Sequence, residues 1–225
     1  MSGYRVTVDT GGTFSDFVYF NEESGEISIT KIPSTPHDPS EAIMQGIHFL
    51  FERGVRPEEV NYFCHGTTVA TNALLERKGA CTGLLVTKGF RGIYEVMEQS
   101  RPHGSAIFDV MYDKPLLLVP PSRTGYRLST TVINAYLQPI LERYVRKLEE
   151  KFLATGITTP KSYIMQSNGG TSTFSATAKK TVATVLSGPA GGVMACVHLS
   201  HQTCVPNLIT FDMGGTSCDY LRQYR

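Results

Sequence analysis

The chain has 225 residues, enough to bury a sizeable core as one large domain or two small ones. Hydrophobic residues make up 41% and charged ones 18%, which excludes a disordered composition. Twenty-one Lys and Arg against 20 Asp and Glu leave +1, so no global field draws the chain to nucleic acid or an acidic membrane.

Residues 4–9 alternate and are rich in β-branched side chains, which predicts a strand. Thr10-Gly11-Gly12 is a turn, Thr13 to Phe20 a second strand, and Glu26 to Ile32 a third, together an antiparallel meander. Asp38-Pro39 reads as a helix cap with proline at the first helical position. The helix carries apolar residues at 43, 47, 50 and 51 and ends at Gly54. A short strand over 61–65, a helix over 67–78 closed by Gly79, and a strand over 81–86 follow. Strands alternating with helices make this an α/β protein.

Residues 101–128, with prolines at 102, 115, 120 and 121, read as a long surface excursion. Ser129 or Thr130 then caps a long helix with apolar positions 133, 137, 141, 144, 145, 148 and 152, closed by Gly156. Pro139 lies inside that run and is expected to kink it or to mark its true start. A strand over 161–166 leads into the turn Ser167-Asn168-Gly169-Gly170. Ser187 to Gly192 opens a helix to about His201, and Leu208 to Asp212 is a last strand running into Gly214-Gly215.

An internal repeat is the most informative feature. Asp9-Thr10-Gly11-Gly12-Thr13-Phe14-Ser15-Asp16 is echoed by Asp212-Met213-Gly214-Gly215-Thr216-Ser217-Cys218-Asp219, 203 residues later. Both copies read D-x-G-G-T-x-x-D behind an apolar strand. A carboxylate at a strand end can hold Mg2+ through water. Adjacent glycines let the backbone turn and aim N–H groups at a phosphate. One such turn is an ordinary hairpin; two copies point to related half-domains closing on one nucleotide.

The doubled motif resembles the two phosphate loops of the actin/Hsp70/sugar-kinase ATPase fold. His65-Gly66-Thr67-Thr68-Val69-Ala70-Thr71-Asn72-Ala73-Leu74-Leu75-Glu76-Arg77, Ser167-Asn168-Gly169-Gly170 and Ser187-Gly188-Pro189-Ala190-Gly191-Gly192 resemble the hydantoinase A/5-oxoprolinase family. That resemblance implies an incomplete actin-like ATPase fold, with residues 1–128 as one half-domain and 129–225 as the start of a second. It implies ATP and Mg2+ as cofactors, with Asp9 and Asp212 as catalytic metal-organising carboxylates. Thr10, Gly11, Gly12, Thr13, Gly214, Gly215 and Thr216 would bind the nucleotide phosphates. The 187–192 segment would be a packing hinge whose small residues let two helix backbones approach.

The implied activity is ATP-dependent hydrolysis of a cyclic amide, or carboxylation of a ketone, beside a hydantoinase B-type subunit. Family members carry a further α/β stretch where Leu128 here runs into Ser129, and a longer second lobe. Weak or absent ATPase activity, or a non-catalytic fragment, is therefore expected, with the strand from Leu208 an unprotected edge.

Remaining candidates are weaker. Cys64-His65 resembles a nucleophile and base, but neighbours on a strand point to opposite faces. His65 is kept as a catalytic candidate because it precedes a helix start. His198, His201 and Cys204 match no zinc spacing, and Arg101-Pro102-His103-Gly104 is an unsupported substrate contact. Tyr136, Leu137, Leu141 and Tyr144 form a core stripe. Five irregularly spaced cysteines form no disulfide framework, the start shows no leader, and no apolar run reaches 18 residues. A cytoplasmic protein is expected.

Overall fold

A computed structural model describes residues 3–35, 37–85, 118–119, 124–125, 131–205, 208–213 and 218–223. The meander forms as expected: β1 (Tyr4–Thr10), β2 (Phe14–Asn21) and β3 (Ile27–Pro33) pair antiparallel. Period-two alternation sends Val6, Val8 and Thr10 into the core and leaves Thr7 and Asp9 on the other face. α1 (Pro39–Glu52) covers the core face. Its Gly46 lies so close to β2 that a Cβ there would stand 2.1 Å from the Phe17 ring, and Tyr19 Oη donates to the Gly46 carbonyl at 2.9 Å.

β4 (Val60–Thr67) then pairs parallel to β1, and α2 (Val69–Leu75) follows it, shorter than the sequence suggested. Of the strand expected over 81–86, β5 (Leu84–Leu85) is described, paired with β6 (Thr124–Gly125) in a sheet of its own. α3 (Thr131–Ala154) is helical from before Pro139, so the proline does not mark its start; Ser129 and Thr130 lie outside the described residues. Tyr136, Leu137, Leu141 and Tyr144 are buried as expected.

β7 (Ser162–Met165) joins β4 in parallel, and β8 (Thr171–Thr173) joins β7 antiparallel across the expected Ser167–Gly170 turn. The six-stranded order is β3-β2-β1-β4-β7-β8. Strands from both sides of residue 128 thus share this sheet, and α3 packs on the same core. Phe63 of β4 meets Phe152 of α3 edge-on at 4.7 Å and Phe174 at 6.3 Å. Phe174 starts α4 (Phe174–Lys179), a short helix that local periodicity did not reveal.

α5 (Ser187–Thr203) crosses to the opposite face, against β4, β7 and β9. β9 (Leu208–Met213) pairs with β10 (Cys218–Gln223) in a sheet of two among the described strands. Ile209, Phe211 and Met213 stand exposed on it. No helix among the described residues is long and apolar enough to cross a membrane.

Asp38 ties α1 to α3. It caps α1 by accepting from the Ser40 N–H, and its Oδ2 lies 2.6 Å from Lys147 Nζ and 3.1 Å from Lys151 Nζ. Burial pushes its carboxyl up, but hydrogen bonds from Lys147, Ser40 and Lys151 outweigh that and hold it well below the usual carboxylate range. Asp38→Ala is expected to cost about 1–2 kcal/mol at pH 7, the sum of a lost cap and a partly exposed ion pair. A depressed carboxyl stabilises above its unfolded pKa and loses that contribution as pH falls through the folded one. Urea denaturation should therefore show the wild-type advantage shrinking below about pH 4, near the unfolded Asp value. An advantage that grew on acidification would contradict the assignment.

Candidate functional site

The β1–β2 turn, the β4–α2 turn, the start of α5 and the end of β9 converge on one cleft of about 400 Å³. Asp9, Gly11, Gly12, Thr13 and Asp212 all line it, so the structure brings both repeat aspartates to one place. Gly214, Gly215 and Thr216 lie outside the described residues, as does Arg101–Gly104.

In both hairpins the register sets the first acid of D-x-G-G-T-x-x-D opposite the last: Asp9 faces Asp16 and Asp212 faces Asp219. Solvent reaches Asp9 through the cleft, while protein wraps it on most other sides. Burial, then the charges of Asp212 and Asp16, push its carboxyl above the ordinary value. β4 makes room for that carboxylate with Gly66, where a Cβ would stand 2.7 Å from Asp9 Oδ1.

The first loop is held from behind. Gly11 N–H donates to the Phe14 carbonyl at 2.9 Å, Ser34 N–H to the Thr13 carbonyl at 2.9 Å, and Ser34 Oγ to the Gly11 carbonyl at 2.9 Å. With the Gly11 N–H used inside the hairpin, those of Gly12 and Thr13 remain to cradle an anion. Neither loop glycine needs a left-handed backbone; Gly11 is instead pressed against the Phe14 carbonyl, 3.2 Å from where a Cβ would be. Thr10 departs from expectation. It is 2% exposed, takes a hydrogen bond from Ser15 Oγ at 3.2 Å, and does not line the cleft. Alternation with Val6 and Val8 already carried that signal.

His65 also leaves the site. It is fully buried on the core face of β4, with Nε2 2.6 Å from Tyr144 Oη of α3. Burial pushes its pKa down to about 4, against the Val8 backbone, which pulls it up, and Nδ1 has no well-formed hydrogen bond. A neutral core imidazole that does not reach the cleft has no substrate to act on. Cys64 is buried on the opposite face, and burial pushes its thiol up, away from a reactive thiolate.

The β4–α2 turn, where Thr67 and Thr68 were expected to open a helix beside a substrate or phosphate, builds the other wall, and Thr71 and Asn72 join it without any signal in the sequence. Thr67, Thr68, Thr71 and Asn72 line it, and Thr68 Oγ1 donates to the Thr10 carbonyl at 3.0 Å. Leu186 precedes α5 in the left-handed region, at φ 60°, a conformation costly for a leucine. Its N–H donates to Thr71 Oγ1 at 3.0 Å, and Ser187 Oγ donates to the Thr67 carbonyl at 3.3 Å. These bonds set the start of α5 beside Asp9, where a Cβ on Gly188 would stand 3.5 Å from Asp9 Oδ1. The positive end of the helix favours negative charge there. Among the described residues, a Cβ on Gly191 would touch only Met165, and one on Gly192 would meet open space, so no helix packs closely there.

Residues 5–168 match the model of the hydantoinase/oxoprolinase N-terminal region, and residues 127–224 match that of hydantoinase/oxoprolinase. The chain belongs to the hydantoinase/oxoprolinase family. Caprolactamase subunit alpha of Pseudomonas jessenii is 29% identical over an alignment of 300 residues that covers 96% of this chain and 43% of the relative. The alignment is longer than this chain, so the relative carries internal residues that this hydantoinase/oxoprolinase chain lacks. The crystal structure of the ATP-dependent caprolactamase from Pseudomonas jessenii superposes with a TM-score of 0.77 at 26% identity, over 97% of this chain and 43% of that one. Nucleotide-free acetone carboxylase shares the fold, with a TM-score of 0.77 at 19% identity over 100% of this chain and 44% of its own. The expected α/β, actin-like ATPase architecture is thus present in part.

The carboxylates of Asp9, Asp16 and Asp212 and the hydroxyl of Thr13 line the cleft with oxygen. Mg2+ prefers oxygen, and it commonly takes one or two carboxylates together with waters and phosphates. A closed protein cage is a different matter: the described residues contain no group of three or more His, Cys, Asp or Glu able to hold an ion. His198, His201 and Cys204 form none; His198 Nε2 instead lies 3.0 Å from Gln202 Nε2.

Proposed function

We propose that the chain carries the phosphate-binding half of an ATP site serving an ATP-dependent cyclic-amide hydrolase of the hydantoinase/5-oxoprolinase type. The observation behind this reading is the convergence of Asp9 and Asp212 on one cleft with the Gly11–Thr13 loop. Gly12 and Thr13 N–H groups would hold phosphate oxygens, with Thr13 adding its hydroxyl. Asp9 and Asp212 would hold Mg2+, which supplies charge neutralisation at the phosphates. An amide oxygen is a poor leaving group until phosphorylated, and a fixed cradle of donors stabilises the charge that develops during transfer.

Ketone carboxylation draws on the same phosphorylation and remains the second reading, supported by the shared fold of acetone carboxylase. A B-type subunit is the proposed partner, in keeping with a relative that is itself one subunit of a caprolactamase. Because the relative carries internal residues this chain lacks, its own turnover is expected to be low. Calorimetric titration should show the chain binding magnesium–ATP, and phosphate release should run at roughly a hundredth or less of a full-length relative's rate, the scale of one lost electrostatic contact. Absence of binding would overturn the ATP site, and a comparable rate would overturn the weak activity.

A further inference from the structure

The sheet register places a row of charges along one rim of the cleft. Asp9 on β1 stands opposite Asp16 on β2, and Asp16 stands opposite Lys31 on β3. Like charges directly opposite each other across antiparallel strands repel. Lys31 Nζ lies 3.3 Å from Asp16 Oδ1 and 5.3 Å from the centre of the Phe14 ring. It is the only cationic side chain among the described residues lining the cleft, against the carboxylates of Asp9, Asp16 and Asp212. A polyphosphate entering this acidic cleft gains from positive charge on the protein, and beyond the start of α5 and the loop N–H groups Lys31 is the one full positive charge described there.

Resting on the ATP reading above, we propose that Lys31 is the phosphate-contacting cation of the cleft and that Asp16 competes with phosphate for it. The pair suits an exchange. Both side chains are about half exposed, so water screens their attraction and the tie is weak. The lysine stem is long and flexible, and its ammonium is a compact charge that can turn to a phosphate oxygen without moving the backbone. Asp16 steers the ammonium towards the cleft, while the Phe14 ring supports it from the side. An ordinary surface ion pair would serve only to hold β2 to β3, and the two roles predict opposite behaviour of the two partners.

Binding of ATP, ADP and adenosine to the full chain separates them, read by calorimetry with magnesium present. Lys31→Met is expected to weaken ATP and ADP about tenfold, the scale of one charge-assisted hydrogen bond, and to leave adenosine unchanged. Lys31→Arg should retain most of the affinity. Asp16→Asn should bind ATP at least as tightly as wild type, since it removes the competitor. In the wild-type chain, ATP should protect Lys31 from amine acetylation, read by peptide mass spectrometry, and adenosine should not; this readout stands even if a variant fails to fold. Unchanged ATP affinity in Lys31→Met, equal weakening by Asp16→Asn, or acetylation of Lys31 indifferent to ATP would each overturn the role of Lys31 while leaving the ATP site standing. A wild-type chain that binds neither ATP nor ADP would overturn the ATP site and this role with it.

Discussion

Asp9→Asn is expected to lower affinity for magnesium–ATP by about a hundredfold while raising the melting temperature of the nucleotide-free chain. The first effect follows from the proposed role of Asp9, which lines the cleft together with the Gly11–Thr13 loop and Asp212. Removing one charged partner from a close pair commonly costs 2–5 kcal/mol, or about thirtyfold to several thousandfold. The second follows from the direction of its pKa. Burial, Asp212 and Asp16 all raise the carboxyl above its ordinary value, so the ionised form disfavours the fold. That cost is fully present above the folded pKa and vanishes as pH falls below the unfolded one. An uncharged, nearly isosteric amide escapes it at neutral pH. Calorimetry with ATP and thermal melting followed by circular dichroism measure the two effects together. A melting temperature below wild type, or an unaltered affinity, would show that Asp9 is a structural residue. Stability traded for a charged site is the pattern of functional positions.

Phe63→Ala is expected to destabilise the chain by about 3–5 kcal/mol, the usual cost of deleting a fully buried aromatic side chain. Phe63 is at the centre of the structure, fully buried, edge-on to Phe152 and within reach of Phe174. Through it β4 touches elements from both sides of residue 128. Urea denaturation followed by helical circular dichroism and by tyrosine fluorescence should give one transition, shifted as a whole in the variant; the sequence has 11 Tyr and no Trp. Two transitions, with only the earlier elements affected, would instead support independent units divided at 128/129.

Local chemistry made much of this protein legible. The meander, the Asp38 cap of α1, the apolar stripe of α3 and the turn at Ser167–Gly170 each depend on residues close together in sequence. The paired D-x-G-G-T-x-x-D turns were legible too, because the repeat is a comparison of one stretch with another and needs no knowledge of contacts. Thr10 was readable too, since alternation places it with Val6 and Val8.

What escaped depends on partners far apart in the chain. His65 became a core residue because Tyr144, 79 positions away, closes over it. The end of β4 is covered on both faces, which no local pattern in Phe63–Thr67 announces. Lys31 gained significance only from the register that sets it beside Asp16 and at the rim of the cleft. Leu186 is an unremarkable leucine until its N–H is seen to reach Thr71, 115 positions away, at the expense of a strained backbone.

Residue pattern and spacing were therefore enough for the class of fold and for singling out the two repeat acids, while the family came from the resemblance of longer motifs. Which strands share a sheet, and which polar side chains face the cleft, came from long-range pairing. Periodicity states that a strand has two faces; only the elements packed against it decide which face is wet. β7 and β8 illustrate this, because their hydrogen bonds to the first sheet depend on α3 returning the chain to β4 rather than on any preference of their own residues.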